Sequence, residues 1–137
     1  MRKSFEQIYM KLALMLAERS TCARLQVGCV ITSTDFRYVY GVGYNGNASG
    51  LDNKCDSAEP SKCGCLPAEE NAIINCTVPR NYEKVVFCTS LPCPMCAKRI
   101  INLGGVKMVY FNKDYGDHDG LILLDRAYIE RRQLSWE

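Results

Sequence analysis

From residue 68 onwards, helical and strand patterns alternate along the chain, and this alternation is the strongest constraint on its fold. Apolar residues recur at helical spacing in three segments, 68–76, 93–103 and 119–128. Short strand-like segments separate or follow them at 84–89, 106–111 and 131–134. Strands that alternate with helices of this length indicate crossover connections and a mainly parallel sheet with helices on both faces.

The N-terminal part of the chain adds one helix and two strands. A capping box that begins at Ser4 predicts a helix over 5–19. Strand patterns over 27–32 and 37–44 are joined by a short polar turn, which is typical of a hairpin. We therefore expect all 137 residues to form a single α/β domain, a three-layer α/β/α sandwich with a mixed five-stranded sheet.

Charge and hydropathy limit the partners that the protein can have. The chain has 17 Lys and Arg against 15 Asp and Glu, and it lacks the basic stripe that binding of a long nucleic acid requires. No segment approaches the roughly 18 consecutive apolar residues of a membrane span, and the N-terminus does not resemble a signal peptide. We expect a cytoplasmic protein that acts on a small or short substrate, without a membrane or a long nucleic acid as partner.

Nine cysteines are many for a chain of this length, and in a reducing compartment they indicate metal binding or catalysis rather than disulfides. Two of them, Cys93 and Cys96, form a Cys-x-x-Cys motif at the start of a predicted helix. Free backbone N–H groups and the helix dipole favour thiolates there. The motif taken alone fits two functions equally well, zinc binding and a thioredoxin-like redox pair.

A second helix start carries a carboxyl group. The helix over 68–76 opens with Pro67-Ala68-Glu69, and proline is well suited to the first position of a helix. A carboxyl group close to two thiolates favours a hydrolytic zinc site over a dithiol oxidoreductase, which has no use for it. The alternative is that Glu69 only complements the helix dipole, a role that fits Glu70 better.

These motifs, taken in order, resemble those of the cytidine and deoxycytidylate deaminase superfamily, and most of all the dCMP deaminases of phages and bacteria. The resemblance covers nearly the whole chain. The matching motifs are Cys22-Ala23-Arg24, Val27-Gly28, Gly43-Tyr44-Asn45-Gly46, Cys55-Asp56, Cys63-Gly64-Cys65, Ala68-Glu69-Glu70-Asn71-Ala72, Pro92-Cys93-Pro94-Met95-Cys96, and Tyr110 to Leu124 with Tyr115 and Asp117.

The resemblance implies hydrolytic deamination of dCMP to dUMP, which feeds thymidylate synthesis. It implies that Cys93 and Cys96 hold a catalytic zinc and that Glu69 is the general acid and base. It further implies a homo-oligomer, a trimer or a hexamer, with dCTP and dTTP as effectors in several members. The implied substrate contacts are Asn45 at the sugar, the Ala68 N–H and the Leu91 C=O at the base edge, Tyr115 on the base and Arg24 at the phosphate.

A polar segment over 45–66 is longer than most loops of compact domains, which indicates that something holds it. The resemblance implies a structural zinc whose ligands are Cys22, Cys55, Cys63 and Cys65. Four thiolates form a closed tetrahedral set, the type used for structural zinc. The alternative is that these are four unrelated thiols.

The chain departs from the family at Pro67, where the first ligand of the catalytic zinc, a His or a third Cys, is expected. Proline has no lone pair to offer, so we predict an intact fold, a full structural zinc site and a catalytic zinc site that is weakened or empty. Three outcomes stay open. The two thiolates retain zinc with water or Glu69; another side chain, Cys65 or His118, supplies the third bond; or no metal binds.

If no metal binds at Cys93 and Cys96, the protein is a catalytically silent nucleotide-binding or oligomer-forming subunit. A third hypothesis, a deaminase that acts on tRNA or single-stranded DNA, is disfavoured because the basic surface is missing.

Overall fold

A computed structural model describes residues 1–59, 62–114 and 116–135. Within these ranges the order of elements is α1 Phe5–Ala17, β1 Gly28–Ser33, β2 Val39–Tyr44, α2 Ala68–Ile74, β3 Lys84–Ser90, α3 Pro94–Leu103, β4 Val106–Lys113, α4 Asp119–Arg126 and β5 Glu130–Gln133. All nine elements lie where the sequence predicts them, with each end within two residues. No helix in the described part of the chain is long and apolar enough to cross a membrane.

The five strands form one mixed sheet in the order β2-β1-β3-β4-β5. β1 runs antiparallel to both of its neighbours, whereas the pairs β3–β4 and β4–β5 are parallel. The expectation of a mainly parallel sheet is therefore wrong, since two of the four described pairings are antiparallel. The reason is that β2 and β3 are parallel to each other but the hairpin strand β1 lies between them.

The sheet separates two apolar cores, which confirms the predicted three layers. On one face α1 packs alone, through Met10 and Ala13, against Val30 and Phe87. On the other face α2, α3 and α4 cover the sheet, with Ala72, Ile100 and Leu124 in the buried layer. The segments that carry the Cys-x-x-Cys motif and Glu69 both belong to this second face.

Helix α2 lies directly on β2 because Gly43 has no side chain. A Cβ atom at Gly43 would lie 2.4 Å from the Ala72 nitrogen and 2.6 Å from the Ala68 oxygen. The Asn71 side chain adds a hydrogen bond of 2.9 Å from its Nδ2 to the Tyr44 oxygen. These contacts fix the start of α2, and with it Glu69, relative to the sheet.

The long segment between β2 and α2 is closed at its base. Gly46 and Leu66 form an antiparallel bridge, with backbone N–O distances of 3.2 and 2.8 Å. Closer to its tip, Asn47 Nδ2 donates to Asp56 Oδ1 over 2.8 Å. The loop therefore leaves the sheet and returns to the start of α2 at almost the same place.

Lys84, the first residue of β3, is fully buried, with 0% of its surface exposed. Its ammonium group, with three N–H donors, lies within hydrogen-bond distance of four backbone oxygens: those of Tyr82 at 2.7 Å, Gly104 at 2.8 Å, Pro79 at 3.0 Å and Arg80 at 3.3 Å. Burial lowers the pKa of Lys84. One cation thus ties the turn before β3 to the end of α3.

Candidate active site

The structure brings the carboxyl group and the two thiols together. Glu69, in the first turn of α2, is 5% exposed, and it lines the same cavity as Cys93 and Cys96. Cys93 is the N-cap of α3, and its sulfur accepts a hydrogen bond of 3.4 Å from the Cys96 N–H. Cys93 is exposed and Cys96 is buried. The two helix starts therefore meet at one place.

The pKa values of the cysteine pair shift in opposite directions, which favours a negative charge on Cys93 over one on Cys96. A hydrogen bond from the Cys96 thiol outweighs the opposing effect of burial and, with the backbone N–H groups of Cys96 and Met95, lowers the pKa of Cys93 to about 5. The pKa of Cys96 is raised, because its proton is held in the hydrogen bond to Cys93 and because it is buried. An anion at a helix N-terminus is favoured by the helix dipole.

Glu69 is poised to exchange a proton near neutral pH. Burial, with a smaller contribution from the negative charge of Cys93, raises the pKa of its carboxyl group to about 7 against the opposing effect of a hydrogen bond from its own backbone N–H. A carboxyl group with a pKa close to the working pH is well suited to general acid and base catalysis. A carboxylate that only complements the helix dipole is normally exposed to solvent, whereas Glu69 is buried.

A cavity of about 530 Å³ opens over this group. This volume lies within the range of small-molecule sites, roughly 300–1,000 Å³. Its lining includes Glu69, Cys93 and Cys96 together with four of the five predicted substrate contacts, Arg24, Asn45, Ala68 and Leu91. The fifth, Tyr115, lies outside the described residues.

Asn45 is held firmly at the wall of the cavity. Its Oδ1 accepts a hydrogen bond of 2.8 Å from the Val27 N–H, and its Nδ2 donates to the Leu25 oxygen at 2.6 Å. An amide group has two acceptor sites and two donor hydrogens, so one of each remains available to a ligand. The orientation of the side chain is thus set before any ligand arrives.

Pro67 occupies the N-cap of α2 and lines the same cavity, but its side chain makes no capping hydrogen bond. It stands where the third zinc ligand is expected and offers no donor atom. Among the residues that the structure describes, Glu69, Cys93 and Cys96 do not form a set of three ligand atoms within 4.8 Å of one another. This donor set does not fit the three protein ligands that a hydrolytic zinc uses.

The two side chains considered as replacements do not complete the set. Cys65 lies in another cluster, 3.7 Å from the Cys55 sulfur. The His118 ring is exposed, its Nε2 lies 2.6 Å from Asp114 Oδ1, and His118 is absent from the described lining of the cavity.

Four other thiols gather beside the cavity. The sulfurs of Cys22, Cys55, Cys63 and Cys65 all lie within 4.8 Å of one another. The Cys55 sulfur is 3.8 Å from that of Cys22 and 3.7 Å from that of Cys65. Four soft donors in so small a volume fit a tetrahedral zinc ion. The structure thus brings together the four residues that the family resemblance singles out.

Backbone N–H groups support negative charge on this cluster. Burial on its own would raise the pKa of Cys22, but hydrogen bonds from the N–H groups of Leu25 and Arg24 bring it down to about 7. The Ala23 N–H lies 3.4 Å from the Cys55 sulfur. Ligand thiols must be deprotonated to bind a metal, so these donors favour binding.

An ion pair next to Cys96 was not predicted from the sequence. Arg99 Nε lies 2.6 Å from Glu70 Oε1, and Arg99 Nη1 lies 3.9 Å from the Cys96 sulfur. Residues three apart on a helix are neighbours, so the spacing from Cys96 to Arg99 was the signal that could have found it. Glu70, predicted to complement the helix dipole, also fixes this guanidinium.

Comparison with known proteins identifies the family of the chain. A family model described as the cytidine and deoxycytidylate deaminase zinc-binding region matches residues 3–113. Deoxycytidylate deaminase of Saccharomyces cerevisiae is 35% identical over 147 residues, which cover 99% of this chain and 46% of that protein. ComE operon protein 2 of Bacillus subtilis is 38% identical over 124 residues, 85% of this chain and 64% of that protein. The chain spans about half the length of the first curated relatives that it matches.

Among solved structures, the dCMP deaminase of cyanophage S-TIM5, in complex with dCMP and dUMP, has a TM-score of 0.86 and 30% sequence identity to this chain. The match covers 98% of this chain and 99% of the phage chain. The similarity therefore extends over the cavity and both helix starts.

Proposed function

This chain belongs to the cytidine and deoxycytidylate deaminase family, and on that premise we propose that it binds dCMP and converts it to dUMP at a rate limited by Pro67. The observation that carries the proposal is the meeting of Glu69 with Cys93 and Cys96 at one cavity of about 530 Å³. The phage relative with dCMP and dUMP bound supports this choice of substrate, because it matches the chain over nearly its full length.

Backbone and amide groups orient the nucleotide. The base edge is bound by the Ala68 N–H and the Leu91 C=O. The Ala68 N–H is available because it lies at the start of α2 and has no partner within the helix. Asn45, already fixed by its two backbone hydrogen bonds, meets the sugar. Arg24, exposed at the outer wall of the cavity, faces the phosphate.

Glu69 carries the proton transfers. In hydrolytic deamination C4 of the base gains a C–O bond from water and loses its C–N bond, and the protons of that water are passed to the base ring and to the departing amine. A buried carboxyl group with a pKa of about 7 can hold and release such a proton at neutral pH. No metal-dependent step follows from these residues, because Pro67 leaves the thiolate pair without a third protein ligand.

A structural zinc belongs to the proposal. Cys22, Cys55, Cys63 and Cys65 would hold it, and four thiolates leave no position for a substrate or a water molecule. This zinc would therefore hold the loop over residues 45–66 in place without taking part in the reaction.

The direct test is the formation of dUMP from dCMP by the purified protein with zinc in excess. We expect slow turnover that is lost in Glu69→Gln, because the amide cannot accept the proton. Glu83→Gln is the control, since it changes an exposed carboxylate that pairs with Lys107 at the surface and lies outside the described cavity lining. No dUMP from the unchanged chain and none from Pro67→His would contradict the proposal.

Pro67 also favours a second candidate, a catalytically silent subunit that binds nucleotides or assembles with other copies. Calorimetric binding of dCMP without turnover by the unchanged chain would support it, and turnover would exclude it. Sedimentation with and without dCTP or dTTP measures whether the chain forms the trimer or hexamer that its family resemblance implies, and whether these nucleotides act as effectors.

A further inference from the structure

Pro67 removes a metal ligand but leaves both sulfurs of the Cys-x-x-Cys motif in place. We infer that Cys93 and Cys96 form a reversible dithiol–disulfide couple that reacts with low-molecular-weight disulfides such as oxidised glutathione. This inference goes beyond the proposed function and does not depend on dCMP. It follows from the mismatch between the donor set at this site and the three ligands of a hydrolytic zinc.

The two cysteines differ in exposure, and this difference gives each a different role in the reaction with a disulfide. Cys93 is exposed at the N-cap of α3, where an incoming disulfide can reach its sulfur, and the Cys96 N–H donates to that sulfur over 3.4 Å. Cys96 is buried and lies three residues further along α3. Reactive cysteines occur at such partly exposed helix N-termini. Cys93 therefore attacks the reagent, and Cys96 then attacks Cys93.

A positive charge lies beside the buried sulfur. Arg99 Nη1 is 3.9 Å from Cys96 Sγ, and the Glu70 carboxylate holds this guanidinium from the other side at 2.6 Å. The guanidinium therefore lies next to the sulfur that must attack in the second step. The ion pair thus keeps a positive charge next to Cys96.

The chemistry balances with one disulfide as the oxidant. The Cys93 thiolate attacks one sulfur of oxidised glutathione, which forms a mixed disulfide and releases one glutathione thiolate. The Cys96 sulfur then attacks Cys93, the second glutathione leaves, and it carries away the proton of the Cys96 thiol. The protein loses two electrons and one S–S bond forms within it, while the reagent gains two electrons and its S–S bond breaks. Reduced glutathione reverses both steps.

Other thiols of the chain serve as internal controls. Cys29 and Cys88 face each other across β1 and β3, but both are buried, so a soluble disulfide cannot reach them. Cys76 is half-buried and lies outside the Cys-x-x-Cys motif. It measures the background reactivity of a partly accessible thiol in the same molecule.

The test uses the reduced full chain with metal left on the four-Cys cluster and no free zinc in the buffer. After reaction with oxidised glutathione, the thiols are alkylated and the digest is mapped by mass spectrometry. We expect the Cys93–Cys96 disulfide to form at least about tenfold faster than Cys76 is modified, and reduced glutathione to reverse it. Cys96→Ser should accumulate a mixed disulfide at Cys93, and Cys93→Ser should give neither product.

Two results would overturn the inference: oxidation of the pair no faster than that of Cys76, or a second zinc bound to the unchanged chain that protects the pair. Thermal melting of both Ser variants verifies that they fold. Binding of dCMP is measured separately on the reduced protein, so failure of the redox couple and failure of the proposed function give different results.

Discussion

Replacing Lys84 with methionine removes the one ammonium group that joins the turn before β3 to the end of α3. Methionine keeps a side chain of similar length and fills most of the same space, so packing changes little. The oxygens of Tyr82, Gly104 and Arg80 lose this donor, whereas the Pro79 oxygen keeps the Tyr82 N–H at 3.2 Å. Since Lys84 is fully buried, water does not readily replace it.

The expected loss follows from two opposing effects. Each of the three carbonyls that lose this donor costs about 1–3 kcal/mol, whereas the cost of burying an ammonium group, several kcal/mol, disappears. The net loss is about 2–4 kcal/mol in the free energy of unfolding. For 137 residues the entropy of unfolding is about 0.29 kcal/mol/K, which converts this loss to a decrease in Tm of roughly 7–14 °C.

Differential scanning calorimetry at a fixed zinc concentration measures the change, and urea unfolding gives the free energy. Lys107→Met is the matched control, because Lys107 is exposed and pairs with Glu83 over 3.6 Å at the surface. That variant should stay within about 0.5 kcal/mol of the parent protein. If Lys84→Met were as stable as Lys107→Met, the carbonyl cage would not be a source of stability.

Three further predictions concern the site and its supports. Pro67→His should raise the zinc content measured by atomic absorption from one toward two per chain; two zinc ions in the unchanged chain would show that proline does not weaken the site. Cys55→Ser should release the zinc of the four-Cys cluster and speed proteolysis within residues 45–66, and equal cleavage rates would argue against a metal in that loop. Gly43→Ala should cost about 1–3 kcal/mol, because its Cβ would lie 2.4 Å from a backbone nitrogen of α2. Gly46→Ala, whose Cβ would meet an atom only at 3.8 Å, should be nearly neutral, and equal losses in the two variants would disprove the close-contact argument.

The secondary structure was predictable because each element carries its own local signal. The capping box at Ser4 and the Cys93 N-cap are visible in the sequence and are present in the structure. The place of β1 was not predictable in the same way. A hairpin strand can pair on either side, and only packing decides that β1 lies between β2 and β3.

The candidate site was predictable where its residues lie within short motifs. The approach of Glu69 to Cys96 follows from two helix starts that the motifs mark, and it is present in the structure. The Lys84 cage was not predictable, because its acceptors are backbone oxygens from two separate turns and backbone atoms carry no sequence signal. The distance from Arg99 to Cys96 depends on Glu70, a residue of another helix.

The four-Cys cluster and the cavity share a wall. Cys22, Cys63 and Cys65 belong to the cluster and also line the cavity, next to Arg24. Any ion that draws these sulfurs together reshapes the surface against which a cavity ligand rests. Occupancy of the two places is then thermodynamically linked, and the linkage is reciprocal: the factor by which the ion changes the affinity for the ligand equals the factor by which the ligand changes the affinity for the ion.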